Sequence, residues 1–316
     1  CDDKSPTMHI QRLDSDSYRR AFPHPGHIYN SVQFSELNRG KCDDVLYLAL
    51  YDGGRLRCGM IAGERDGAIM SPWSAPFGGL TVNRRQSFRC IDNAVKTLCT
   101  FTKSQERSLV VTLPPECYGD NAAIKCAYSL MSTPGIEITP HLNYAADLTR
   151  HLDPVELMSP KSRWSIGRAL MSHYTITRQP AIESEITRNY NLILANHNAK
   201  GRELRMSLHD FMATAPVAGS DFFIVTLDGI DIAAAQLHHT APGIVQLINW
   251  GDLPEHRHPG AMNLLALHMM RHYKAKGARM LDFGPVDSGD GVNEGLSKFK
   301  ESLGCTPSLK YTFRLS

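Results

Sequence analysis

Three side chains near the C-terminal end, Asp282, Glu294 and Lys300, are of the types that proton transfer and charge stabilisation employ. A fixed lysine cation stabilises a developing oxyanion or a departing group. A carboxylate accepts a proton directly or through water. By strand alternation Asp282 points to the face opposite Leu281 and Phe283, where it serves either as that base or as an acceptor for nearby N–H groups. Glu294 stands at the start of a helical run, a place where a carboxylate also matches the helix dipole. Lys300 lies on the same run, as a functional cation or a solvated one.

Upstream, Arg257-His258-Pro259-Gly260-Ala261-Met262 leads into another helix, and the unpaired N–H groups of a helix start form an anion site. His258 is a further phosphate contact there, and Pro259 loses little by lacking an N–H so close to a helix start. The fourteen histidines offer no metal set. His268 and His272 stand four apart, but no glutamate lies between them in HExxH order and no third ligand is evident, so no metal is expected. Lys161, Arg163 and Arg168 surround Trp164 as a basic aromatic patch, read either as a contact for a phosphorylated acceptor or as a solvated helix face.

These residues need a frame, and hydrophobic periodicity supplies one. Residues 1–27 are polar and broken by Pro and His, which predicts an irregular lead-in. A first domain, 28–150, follows: a short helix over 29–38, strands 45–51 and 55–63 around Asp52-Gly53-Gly54, a strand 68–71, and a Gly/Pro loop 71–79. A helix over 84–103 with apolar residues at 88, 91, 94, 95, 98 and 101, a strand 109–113, a helix 121–131 and an extended run 136–148 complete it. The second domain, 151–316, opens with helices over 162–173, 183–198 and 207–215. The earlier order then returns in strands 221–227, 230–238 and 244–250, a loop 251–260, helix 261–276, strand 279–283, helix 293–302 and strand 309–314. Two passes through one order predict a diverged duplication in an α/β (α+β) protein, each half a mixed, mostly antiparallel sheet flanked by helices.

Bulk properties narrow the classes. The 316 residues are 42% hydrophobic, enough for two cores, and the net charge of +2 argues against a nucleic-acid protein, DNA in particular. The eight cysteines form no CxxC pair and several lie in apolar runs, a usage that fits buried thiols in the cytoplasm. No run reaches the length of a membrane span. The start at Cys1-Asp2-Asp3-Lys4 fits either a trimmed chain or a lipidated mature terminus, and the thiol content favours trimming.

An antiparallel sheet that turns into a crossover helix after its third strand is the plan of the GCN5-related acetyltransferase (GNAT) fold, which both halves resemble. In that family the loop before the helix carries Gln/Arg-x-x-Gly-x-Gly/Ala. Arg257 and Gly260 match it, and Met262 replaces the last small residue. The first half has Ala75-Pro76-Phe77-Gly78-Gly79 at that place, which forms an anion nest or, the favoured readings, shapes an acceptor groove or only turns the chain. Lys276-Gly277-Ala278-Arg279-Met280-Leu281-Asp282-Phe283-Gly284, followed by Gly295-Leu296-Ser297-Lys298-Phe299-Lys300-Glu301-Ser302-Leu303-Gly304, is similar to the tail of Fem-type (FemAB-like) transferases. The resemblance implies two tandem GNAT-like domains and an amine acylated by an activated carboxyl donor.

It further implies that Asn249, Trp250 and Gly251 present a backbone N–H to the donor carbonyl, and that Arg257, His258, Gly260 and Ala261 hold the donor's phosphates. Lys300 takes the place of the lysine in the family's Phe-Lys step. The expected donor is acetyl-CoA or another acyl-CoA, and the acceptor a small-molecule or peptide amine. An aminoacyl-tRNA donor, with a cell-wall precursor as acceptor, is the second reading, less favoured because no heptad run marks a tRNA-binding arm. A non-catalytic ligand-binding protein of the same fold is the third.

Overall fold

The computed structural model describes residues 8–253, 260–288 and 291–316. They divide into two compact units, Cys1–His141 with Leu309–Ser316, and Leu142–Ser308. The sequence boundary at 150/151 differs from this division because each unit takes a strand from the other half of the chain.

The first unit contains β1 (His9–Leu13), α1 (Ser15–Ala21), α2 (Val32–Leu37), β2 (Asp44–Asp52), β3 (Arg55–Arg65), β4 (Ala68–Ser71), β5 (Leu80–Thr81), α3 (Phe88–Ser104), β6 (Ser108–Thr112), α4 (Asn121–Met131) and the start of β7 (Ile136–Asp147). Its sheet is antiparallel from β1 through β4, and β4 runs parallel to β6. Both faces of β2 are covered. Leu46, Leu48 and Leu50 meet α3 and α4, while Val45, Tyr47 and Ala49 meet Tyr18, Phe22 and Val32 of the α1–α2 side. That double burial is why β2 reads as a continuous apolar run.

Within the lead-in, residues 9–21 are regular. β1 pairs with β2, and α1 starts at Asp14, whose carboxylate accepts the Ser17 N–H at 2.8 Å. The Asp cap was a legible helix signal. The Pro/His-rich stretch masks it only from Phe22 onward.

The second unit contains the rest of β7, α5 (Pro154–Leu157), α6 (Pro160–Ala169), β8 (Tyr174–Gln179), α7 (Glu183–Ala199), α8 (Leu208–Ala218), β9 (Asp221–Leu227), β10 (Ile230–Ala241), β11 (Ile244–Asp252), α9 (Ala261–Ala275), β12 (Met280–Pro285), the small ribbon β13 (Asp287–Ser288) and β14 (Gly291–Val292), α10 (Glu294–Ser302), and the start of β15 (Thr306–Leu315). Its strands lie in the order β7-β12-β11-β10-β9-β8. Phe223, Val225, Ala233, Ala235 and Leu237 face the side of α9, and Phe222, Ile224 and Ala234 the side of α7 and α8.

β8 falls inside a stretch that reads as helical, where Tyr174-Thr-Ile-Thr-Arg-Gln is too short and too exposed to break the pattern. The strand exchange was hidden as well. Residues 143–147 of β7 pair with β12, and residues 312–315 of β15 pair with β6, pairings to which alternation is blind.

Candidate active site

β11 and β12 run side by side and parallel for only three residues, Ile244–Gln246 against Met280–Asp282. β11 then continues to Asp252 and β12 to Pro285, so the two strands part. Each carries a bulge at the parting. Leu237 faces Leu247 and Gln236 faces Asn249, which leaves Ile248 as the extra residue of β11. On β12 Phe283 is extra, between Asp282 opposite Ala145 and Gly284 opposite Tyr144. A bulge bends the strand that carries it, and the two strands that carry these bulges, one against β10 and one against β7, are the pair that part.

Aromatic rings line the parted ends. Trp250 stands 5.6 Å from Phe283 across the gap and 5.8 Å from Phe299 of α10, measured between ring centroids. Asn249 turns the other way, its amide donating to Gln236 Oε1 at 2.9 Å on the α7–α8 side. Gly251 is required there because a Cβ would overlap Asn196 of α7. Of the three expected strand residues, Trp250 alone therefore sends its side chain to the gap.

Lys300 lies beside the end of β12 but does not face the gap as a free cation. It is 2% exposed, and its ammonium donates to Phe283 O at 2.6 Å, Gly284 O at 2.8 Å and Pro285 O at 3.0 Å. A lysine has three N–H bonds, and all three are taken. Successive carbonyls of a regular strand alternate in direction, and the left-handed Gly284, at φ 76°, is what lets three in a row converge on one group. Burial pushes Lys300 down to about 8. The expected catalytic cation is thus a clamp on the splayed strand.

Asp282 is likewise fully buried, at 0% exposure. Its carboxylate accepts Asn143 Nδ2 at 2.8 Å, Gln246 Nε2 at 3.0 Å and the Gly284 N–H at 2.8 Å. It holds the last paired rung and the bulge, and it is closed to an incoming amine. Glu294 is 80% exposed at its side chain and pairs with Lys298 at 3.2 Å, so it serves the first turn of α10 and not the gap. Asn143, Gln246, Phe283 and Phe299 were missing from the expected set. Phe283 and Phe299 stand inside the two Fem-like motifs, a signal that was on view, whereas nothing in the sequence couples Asn143 or Gln246 to Asp282.

Arg257 and His258 lie outside the described residues. Gly260 adopts φ 92° at the start of α9, and a Cβ there would overlap the carbonyl oxygen of Ser165 in α6. Asn263 donates to Ser162 Oγ at 3.1 Å, and Ser162 Oγ donates to Ser302 Oγ at 2.9 Å. One flank of the helix start is therefore packed by α6. Gly260 is needed for that approach, and the side chain of Ala261 is core, at 2% exposure. Replacing Gly260 with Ala is expected to cost about 2–4 kcal/mol, from strain at positive φ and overpacking against Ser165. Urea unfolding of G260A checks this, and an unchanged midpoint would contradict it.

The first unit closes the corresponding place. β4 pairs with β6 along its whole length, and the loop after it folds into the space beyond. Gly78 N–H donates to Thr112 O at 2.8 Å and Gly79 N–H to Ser71 Oγ at 3.1 Å. Phe77, at 0% exposure, sits among His27, Tyr29 and Tyr118. Residues 77–79 form a packed turn.

Among the described residues no three His, Cys, Asp or Glu side chains gather as a metal set. The seven described cysteines are free thiols, and burial pushes Cys126 up to about 12 and raises Cys58 and Cys305 also, which keeps them protonated. No helix among the described residues is long and apolar enough to cross a membrane.

Residues 172–301 match the family model described as an acetyltransferase (GNAT) domain, a span that runs from before β8 into α10 and takes in both parted strands. No curated protein sequence matches the chain. Among solved structures, FemX has a TM-score of 0.64 at 12% identity, covering 96% of each chain. The C-terminal domain of a protein described as a lysylphosphatidylglycerol synthetase from Agrobacterium fabrum has a TM-score of 0.61 at 12% identity, covering 96% of this chain and 92% of that one. L-PGS from Bacillus licheniformis has a TM-score of 0.59 at 12% identity, covering 95% and 90%. Residues 172–301 are thus similar to a GNAT acetyltransferase domain, and this is the stretch that holds both parted strands. Over more than nine-tenths of its length the chain shares the fold of these three structures.

Proposed function

We propose that the second unit transfers an acyl group from an acyl-CoA thioester to an amine. The observation that carries this reading is the parting of β11 from β12 beyond Gln246 and Asp282. It leaves one edge of β11 from Leu247 onward without a β12 partner, in a gap walled by Trp250, Phe283 and Phe299. An apolar slot with a strand edge suits a pantetheine arm and its thioester. The edge N–H groups polarise the carbonyl. The amine nitrogen adds to the carbonyl carbon, the carbon–sulfur bond breaks, and the amine's proton passes to the leaving thiolate. No acyl-enzyme is required, in keeping with the protonated thiols. Lys300 and Asp282 act at one remove, by holding the shape of β12.

The second reading, an aminoacyl ester of tRNA as donor, keeps its place because the folds of FemX and of the lysylphosphatidylglycerol synthetases extend over nine-tenths of the chain or more. Calorimetric titration separates the two. Acetyl-CoA is expected to bind one to one, and Trp250→Ala to weaken it by about tenfold, the worth of one apolar side chain. Heat with charged tRNA and none with acetyl-CoA would replace the donor; heat with neither would remove the transferase reading.

A further inference from the structure

The basic aromatic patch on α6 has a geometry that the transferase reading does not use. Ser162, Ile166 and Ala169 face inward, and the helix is seated there by Ser162 on Ser302 and by Ser165 on Gly260. At 3.6 residues per turn the opposite side carries Trp164 and Gly167 in one line, Leu170 continues the helical backbone at the C-cap, and Met171 follows in the turn beyond it. Arg163 lies on one flank of that line, and Lys161 and Arg168 on the other. Met171 is 87% exposed, Leu170 68% and Trp164 60%, and Met171 is the most exposed large apolar side chain among the described residues. The three cations are exposed and make no ion pair among the described residues, and Arg168 lies over the Trp164 ring at 5.1 Å. The segment from Pro160 to Met171 contains no acid.

From this we infer that α6 is a peripheral docking surface for an anionic lipid bilayer. Leu170, Met171 and Trp164 enter the headgroup boundary while Lys161, Arg163 and Arg168 pair with lipid phosphates on either side. Charge and shape select this occupant. A surface with two exposed aliphatic side chains between flanking cations gains from an apolar layer beneath a phosphate layer, which is the cross-section of a membrane surface. A nucleic-acid backbone would reward the cations and leave Leu170 and Met171 in water. The described helices offer no membrane span, so the contact is one of surface insertion. The inference stands apart from the identity of the acyl donor.

The test is co-sedimentation of the whole chain with vesicles of equimolar phosphatidylcholine and phosphatidylglycerol, against vesicles of phosphatidylcholine alone. The wild type is expected to pellet with the mixed vesicles, to shift its tryptophan emission to the blue, and to release as salt is raised. Met171→Asp and, separately, the double change Lys161→Glu with Arg168→Glu are each expected to weaken binding by about tenfold or more. All three positions are exposed, and circular dichroism melting verifies that the variants fold. Equal binding to both vesicle types overturns the inference, as does binding that Met171→Asp leaves intact. Sedimentation equilibrium showing a dimer that Met171→Asp dissolves overturns it too, in favour of contact between copies.

Discussion

Replacing Lys300 with Met is expected to lower the unfolding free energy by roughly 3–5 kcal/mol and to abolish acyl transfer. The physical reason is the buried triplet of carbonyls on Phe283, Gly284 and Pro285, which share one donor group. Methionine fills the same volume and donates nothing, so three buried acceptors are left unpaired. Urea unfolding and acetyl transfer to a generic amine are the two measurements, and a variant with native stability would remove the clamp. The pH dependence adds a sharper readout. Burial holds Lys300 at about 8, below the 10.5 of a free lysine, so the unfolded chain binds that proton more tightly than the folded one. The folding cost of the buried cation is therefore full below about 8 and is relieved as pH rises toward 10.5. Activity is expected to move the other way: a neutral amine has two N–H bonds for three carbonyls, so the end of β12 loosens and the rate falls through about 8. A wild type that loses rate there without losing stability, beside a K300M variant whose stability lacks the rise toward 10.5, is the expected pattern.

The second large effect is expected at Asp221, away from the gap. This residue opens β9 with its carboxylate 2% exposed, accepting Arg178 Nε at 2.7 Å, His239 Nε2 at 2.9 Å and the Tyr273 hydroxyl at 2.8 Å. It ties β8, β10 and α9 to one point at the margin of the second unit. Asp221→Asn keeps the shape but removes the charge and turns one acceptor into a donor facing donors. A loss of about 2–4 kcal/mol follows. The hydrogen bonds from His239, Arg178 and Tyr273 outweigh burial and hold the carboxyl far below its ordinary 3.8. A depressed carboxyl stabilises the fold above its unfolded value and loses that contribution as pH falls toward the folded one. Wild-type stability should therefore decline below about 3.8 more steeply than that of D221N. Parallel acid-unfolding curves for the two proteins would show that Asp221 carries no such linkage.

The contrast between these residues shows how far the chain could be read. Lys300 was legible as a residue of consequence from the Phe299-Lys300 step, but its role was not, because a lysine on an amphipathic helix is written the same way whether its ammonium meets substrate, water or three carbonyls. Asp282 was placed correctly opposite Leu281 and Phe283. Its partners Asn143 and Gln246 come from β7 and β11, and no local pattern brings them together. Trp250 was named for its backbone, and it is its ring that stands against Phe283 and Phe299. Asp221 and its three partners carried no motif at all. Arg178 was further obscured by lying in β8, an edge strand within a helical neighbourhood.

Local order is where the chain spoke for itself. Alternation around Asp52-Gly53-Gly54 and Asp228-Gly229, the apolar spacing of α3, and the repeated order of elements followed from residues a few positions apart, since helix and strand periods are properties of one segment. The gap between β11 and β12, the exchange of β7 and β15 between units, and the burial of Lys300 needed the tertiary structure. Each depends on contacts between segments distant in sequence, where pairing is chosen by which edges meet and which carbonyls would otherwise be buried without a donor.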